Sequence, residues 1–187
     1  MSPRDILLAL LVVVVWGVNF VAIRWGVDEV PPLLLTALRY VVAVVPAIFF
    51  IRRPQVGLGI LVAYGFAVGV AQFSLLFSAV KFGMPAGLAS LVMQLQVFFT
   101  IGLAVLFLGE RPTASQLIGA LIAFVGIGVI AIERLGGAAL VPFLMTIAAA
   151  ASWSIANLIT KRAGKIDMLG FVVWSSLVPP IPLYLLS

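Results

Sequence analysis

Seven apolar runs, each close to the length of a bilayer-crossing helix, constrain this 187-residue chain more than any other feature. They read Ile6–Trp25, Pro32–Ile51, Leu58–Lys81, Pro85–Leu108, Thr113–Ile132, Leu140–Ile159 and Met168–Leu186. A helix needs about 20 residues to cross the hydrocarbon core. Each run is apolar all round, which a surface helix of a soluble protein is not. Hydrophobic residues make up 64% of the chain and charged residues 9%. Soluble domains run near 45–50% and about 25%. A soluble fold of this size has too little interior for so much apolar surface. The balance excludes a soluble enzyme, a secreted module and a disordered protein. The runs leave no room for an extramembrane domain, and they predict an all-α polytopic membrane helix bundle.

Charges and Pro/Gly pairs separate the runs, as at Gly83-Met84-Pro85, Gly109-Glu110-Arg111-Pro112, the Gly136-Gly137 turn and Lys161-Arg162. Short loops make successive helices antiparallel neighbours. Pro32 and Pro85 suit a first helical turn, where the missing N–H is no loss. With the N-terminus in the cytoplasm, Arg4, Arg52, Arg53, Arg111, Lys161, Arg162 and Lys165 lie inside. Arg24, Lys81 and Arg134 lie outside. The positive-inside rule selects this orientation. It also assigns the net charge of +5 to topology, with no nucleic acid as partner. Ile6–Val15 lacks a small-residue cleavage pattern and is followed by further apolar runs, so it reads as a first span and not a signal peptide.

A weak internal repeat is visible. Trp16, Val18 and Arg24 are matched 137 residues later by Trp153, Ile155 and Lys161. An odd number of spans separates the copies, so the second would be inverted in the membrane. Inverted repeats are a common transporter plan, with the site near the midplane at the repeat interface. The first and sixth helices would then line one cavity. Arg39 shifted by 137 falls on Ser176, so the charge is not repeated and any site is asymmetric.

The polar residues inside the runs are the candidate lining. Arg39 lies eight residues past Pro31, about 12 Å along a helix. A charge at that depth needs a polar cavity or a partner, or it snorkels to a headgroup. In a cavity it would grip a carboxylate bidentately. Tyr40 extends its face in part. Asn19, with Trp16 on the same helical face, either meets substrate or ties two helices together. In the sixth run, Thr146, Trp153, Asn157 and Thr160 form one stripe, read as cavity lining or as helix–helix bonding. Gln94 and Gln96 point apart, and Gln94 is preferred for the cavity. Gly65, Gly69 and Gln72 share a face on which the glycines permit close helix approach. Glu110 reads as a cap of the next helix within a solvated charge pair. The expected substrate-binding set is Arg39, Asn19, Gln94, Asn157, Trp16, Tyr40 and Trp153.

Other chemistry is excluded. The chain has no Cys and no His, which removes disulfides, Cys/His zinc sites, axially ligated haem and thiol nucleophiles. Asp5, Asp28, Glu29, Glu110, Glu133 and Asp167 all fall at ends or loops, so a midplane carboxylate relay has no residue to run on. No Walker sequence, His-Glu-x-x-His or Ser/His/Asp set occurs. No catalytic site, metal or cofactor is expected.

Five stretches resemble the EamA-like exporters of the drug/metabolite transporter superfamily. They are Val15-Trp16-Gly17-Val18-Asn19-Phe20, Pro31-Pro32 through Leu38-Arg39-Tyr40, Phe82 to Ser90, Gly109-Glu110-Arg111 and the Trp153–Asn157 region. The likeness covers essentially the whole chain. It implies a ten-span fold of two inverted five-helix repeats. Residues 1–135 would form the first repeat and residues 138–187 the start of the second. It implies export of amino acids or related small metabolites, of the cysteine or O-acetylserine kind, across the bacterial inner membrane. It also implies that Gly109-Glu110 and Arg39 correspond to family features. Against ten spans, this chain would be a C-terminally truncated fragment, or a short protein completed by homo-oligomerisation. Two other functions stay open: export of drugs or aromatic compounds past Trp16, Tyr40 and Trp153, and a membrane remnant that does not transport.

Overall fold

The structure is a computed structural model that describes residues 2–134 and 140–187, without the side chains of 130–134. These residues form helices α1 (Pro3–Glu29), α2 (Pro32–Ile48), α3 (Leu58–Lys81), α4 (Ala86–Leu108), α5 (Ala114–Arg134), α6 (Leu140–Ala163) and α7 (Met168–Leu185). The chain is an all-α, multi-pass membrane bundle. Five helices, α1, α3, α4, α6 and α7, are long and apolar enough to cross a bilayer. Helix α2 and the apolar part of α5, Ala114–Val129, are shorter. The expected turn at Gly136-Gly137, the boundary between 135 and 138, and the Arg134 side chain lie outside the described residues.

Local signals explain the helix limits. Helix α1 begins three residues before the apolar run because Ser2 and Asp5 form a capping box. The Asp5 N–H donates to Ser2 Oγ at 3.2 Å and the Ser2 N–H to Asp5 Oδ2 at 2.8 Å, which satisfies two otherwise free donors. Pro32 opens α2 as expected. Pro85 sits one position earlier than expected, as the extended cap residue of α4. Gly109 ends α4 in the left-handed region at φ 65°, where a side chain would be strained. The cap of α5 is Thr113 and not Glu110. Thr113 Oγ1 accepts from the Gln116 N–H at 3.3 Å, and Gln116 Oε1 accepts from the Thr113 N–H at 2.9 Å.

Three helices are interrupted. Residues Phe66–Gln72 of α3 form a π-helical segment. Helix α4 tightens at Met93 and Gln94, where the N–H groups of Gln96 and Val97 donate to carbonyls three residues back. Helix α7 breaks between Ser176 and Pro179, since Pro179 and Pro180 supply no N–H to an upstream turn.

Helix α3 is central and touches α1, α2, α6 and α7, while α4 lies along α6. The main core joins Ile23 and Val27 of α1, Leu76, Phe77 and Val80 of α3, Leu88 and Val92 of α4, and Ala149 and Ala150 of α6. Only Ile23 and Val27 of α1 are buried, with Phe20 packed against the same core. The expected close approach at Gly65 and Gly69 is present, between α3 and α7. A Cβ on Gly65 would strike Ser175 O and lie 2.9 Å from Val178 Cβ, and one on Gly69 would strike Pro179.

Charged groups gather at the two ends of the bundle. At one end Lys161 Nζ reaches Glu110 Oε2 at 2.7 Å, and Trp174 Nε1 donates to Ile51 O at 3.1 Å. At the other, Arg24 Nε lies 3.7 Å from Asp28 Oδ2. There Lys81 Nζ also donates to Asp28 O at 3.4 Å. Both partners of the Glu110–Lys161 pair remain nearly half exposed. Such a pair contributes about 0–1 kcal/mol, so it marks register more than it stabilises.

Candidate functional site

A cavity of about 420 Å³ opens among α1, α2, α3, α6 and α7, with Met93 of α4 completing its wall. That is within the span of small-molecule sites, about 300–1,000 Å³. Its wall is mostly apolar and aromatic, with a few polar groups.

Helix α1 contributes Trp16 and Asn19, and α6 contributes Trp153. The two indoles stack with centroids 5.1 Å apart and planes at 24°. These are the two residues related by the 137-residue shift. A stacked pair adds about 0.5–1.5 kcal/mol beyond the area it buries. Asn19 is half-buried and one turn from Trp16, which brings its amide to the same wall.

Helix α2 contributes Arg39 and Tyr40. The Arg39 guanidinium lies over the Phe73 ring, with Cζ 4.4 Å from the centroid, and 5.9 Å from that of Phe77. Among the described residues it makes no ion pair and no hydrogen bond. Cation–π contact holds the group in place, but it leaves the planar fork of N–H donors unused. The wall therefore presents a positioned cation that no described carboxylate pairs with. Tyr40 meets Phe73 edge-on, with centroids at 6.1 Å and planes at 72°. Thr36, one turn before Arg39, is buried and donates to Pro32 O at 2.7 Å, so it does not extend this face.

Two expected lining residues lie elsewhere. Asn157 Nδ2 donates to Gln96 Oε1 at 2.9 Å and to Thr100 Oγ1 at 3.1 Å, and Ser154 Oγ donates to Gln96 O at 3.0 Å. These contacts tie α6 to α4, which is the helix–helix alternative for the stripe. Gln96 is turned to α6, so Gln94, about 200° round the helix, faces away and is exposed. Thr146 and Thr160 donate to the carbonyls of Pro142 and Ala156 in their own helix. Of the stripe, Trp153 alone reaches the cavity.

The structure also adds residues outside the expected set: Tyr64 and Gln72 of α3, and Ser175 and Ser176 of α7. Tyr64 is tilted on Phe171 with centroids 4.7 Å apart. Gln72 is 3% exposed, and its Oε1 has no hydrogen-bond partner. The sequence carried a signal for two of these. Gln72 stood on the glycine face of its run, and Ser176 is where the repeat shift carries Arg39. Among the described residues no group of His, Cys, Asp or Glu is placed to hold a metal ion.

Comparison with known proteins places the sequence in a family. Residues 4–132 match the EamA-like transporter family. The chain is 46% identical over its whole length to a probable amino-acid metabolite efflux pump of Escherichia coli (strain K12), and equally so to its counterpart in Salmonella typhimurium. It is 30% identical, over 92% of its length, to a probable terminal-alkyne amino-acid exporter of Streptantibioticus cattleyicolor. The chain spans 64% of the length of the first two relatives and 61% of the third. No solved structure matches significantly. A bundle of bilayer-length helices around a polar-spotted cavity, carrying this match over most of its residues, belongs to the EamA-like transporter family.

Proposed function

We propose that this chain builds the substrate cavity of an efflux carrier for amino acids or related small metabolites, of the cysteine or O-acetylserine kind. The carrier works by alternating access in the bacterial inner membrane, with the N-terminus cytoplasmic and a ten-span fold of two inverted repeats. The observation that carries this reading is Arg39, a guanidinium held over Phe73 in the cavity wall with no ion pair among the described residues. An amino-acid carboxylate supplies the missing partner in bidentate form. Asn19 and Tyr40 add polar contacts, and Trp16 and Trp153 form the wall for the side chain. The stacking of Trp16 on Trp153 supports equivalence of α1 and α6, as an inverted repeat requires. The names of the relatives support amino acids as the substrate class.

Cells expressing the protein and loaded with amino acids through dipeptide feeding provide the test. Arg39→Gln keeps the polarity and removes the charge. Loss of a charged hydrogen-bonding partner is worth about 1.5–3 kcal/mol, so export falls at least about 10-fold at equal membrane abundance. Undiminished export at equal abundance refutes the reading.

The aromatic wall supports a second reading, an exporter of drugs or aromatic compounds, carried by the Trp16–Trp153 stack. Resistance of expressing cells to a panel of planar aromatic compounds, without any amino-acid export, selects it over the first.

A further inference from the structure

The buried carboxamide of Gln72 is left unexplained by packing. It closes the π-helical segment Phe66–Gln72 and lines the cavity. It is 3% exposed, with Oε1 lacking any donor. A buried acceptor without a donor is costly, and hydrocarbon around the bundle supplies none. The π turn bears on its direction. Such a turn shifts the register of the residues that follow, and such turns are frequent at functional sites. The next residue, Phe73, carries the Arg39 guanidinium on its ring. A neutral acceptor and a cationic fork therefore flank one turn of α3.

The other polar groups nearby do not serve Gln72. Ser175 Oγ donates to Phe171 O at 2.6 Å and Ser176 Oγ to Val172 O at 2.7 Å, so their protons are engaged. Among the described residues no Asp or Glu lines the cavity. A substrate cation is read there by a neutral oxygen, which recognises N–H without holding a permanent countercharge that would resist release. The carboxamide turns about χ3 in a broad, shallow well, so Oε1 swings to the cavity face at little cost.

We propose that Gln72 is the second polar anchor of the cavity, its Oε1 accepting from the α-ammonium group of an amino acid whose carboxylate meets Arg39. The inference rests on the carrier reading above and goes further, since it makes the site select amino acids over the same acids without the amino group. Gln72 is then a specificity-determining residue.

The test uses the full chain, purified and placed in lipid nanodiscs at neutral pH, with equilibrium binding measured for matched pairs. The pairs are L-leucine with 4-methylpentanoate, L-cysteine with 3-mercaptopropionate, and L-phenylalanine with 3-phenylpropionate. The unmodified chain prefers the amino form of at least one pair by about 10- to 100-fold, the range for a hydrogen bond to a charged group. Gln72→Leu abolishes the preference by weakening the amino acid and sparing its partner. Gln72→Glu, which keeps an acceptor, retains it. A purely structural role weakens both members of a pair alike, and that result overturns the inference. So does equal binding of both members to the unmodified chain, a comparison that needs no variant to fold. In either case the carrier reading survives. Failure of every amino acid to bind the unmodified chain overturns the carrier reading and this inference with it.

Discussion

Gly65→Ala tests the seam between α3 and α7, on which half of the cavity wall depends. The added Cβ would strike the Ser175 carbonyl oxygen and lie 2.9 Å from Val178 Cβ. A backbone oxygen cannot rotate aside as a side-chain tip does, so α7 must retreat. Overpacking of this kind costs about 1–3 kcal/mol, and the carbonyl contact puts it towards the upper figure. The retreat also loosens Phe171, fully buried against Tyr64. Against this, Ala gains about 0.8–1.0 kcal/mol of helix propensity over Gly. The net expectation is a loss of about 1–2 kcal/mol. Gly102→Ala in α4 is the control, because nothing lies within 4 Å of its added Cβ. It keeps the propensity gain and stabilises by up to about 1 kcal/mol. Unfolding in mixed SDS and dodecylmaltoside micelles, followed by tryptophan fluorescence, measures both. Since Ser175 and Ser176 line the cavity, ligand affinity falls with stability in the first variant alone. A Gly65→Ala chain as stable as Gly102→Ala would refute the close approach of the two helices.

Two further outcomes check the placement of the polar and aromatic groups. Trp16→Ala, Trp153→Ala and the double variant form a cycle, and the stacked geometry gives a coupling of about 0.5–1.5 kcal/mol; strictly additive losses contradict it. Asn157→Ala removes the link from α6 to Gln96 and Thr100 and costs about 0.6–1.7 kcal/mol, as interhelical hydrogen bonds in membranes do. Its nanodisc ligand affinity stays within about twofold of the unmodified chain, and a fall like that of Arg39→Gln would put Asn157 back in the cavity.

Several parts of the candidate site are legible in the sequence. Arg39 was conspicuous because a charge deep in an apolar run demands an explanation, whatever the fold. Trp16 and Trp153 are linked in the sequence by a weak 137-residue repeat, and in the structure their indoles stack where α1 meets α6. Gln94 and Asn157 are expected in the lining, and the structure places both outside the cavity wall for one shared reason. Polarity says that a residue avoids lipid, but a helical neighbour removes it from lipid as well as a cavity does. Asn157, Gln96 and Thr100 satisfy one another, and that left Gln94 on the opposite face. Gln72 shares its face with Gly65 and Gly69, whose packing against α7 accounts for that face without a cavity, so polarity alone does not single it out.

The division between the two kinds of information is physical. Hydrophobicity is a local property, so run length and composition alone determine that the chain is a bundle of membrane helices. They also determine that Arg39 stands apart within it. The direction in which a side chain points is a sum over every turn before it. The π segment at Phe66–Gln72 and the tightened turn at Met93-Gln94 each change that sum without leaving a mark in composition. Only the packed structure decided that Gln72 faces the cavity while Gln94 turns away, because each helix takes its final rotation from the neighbours it must fit.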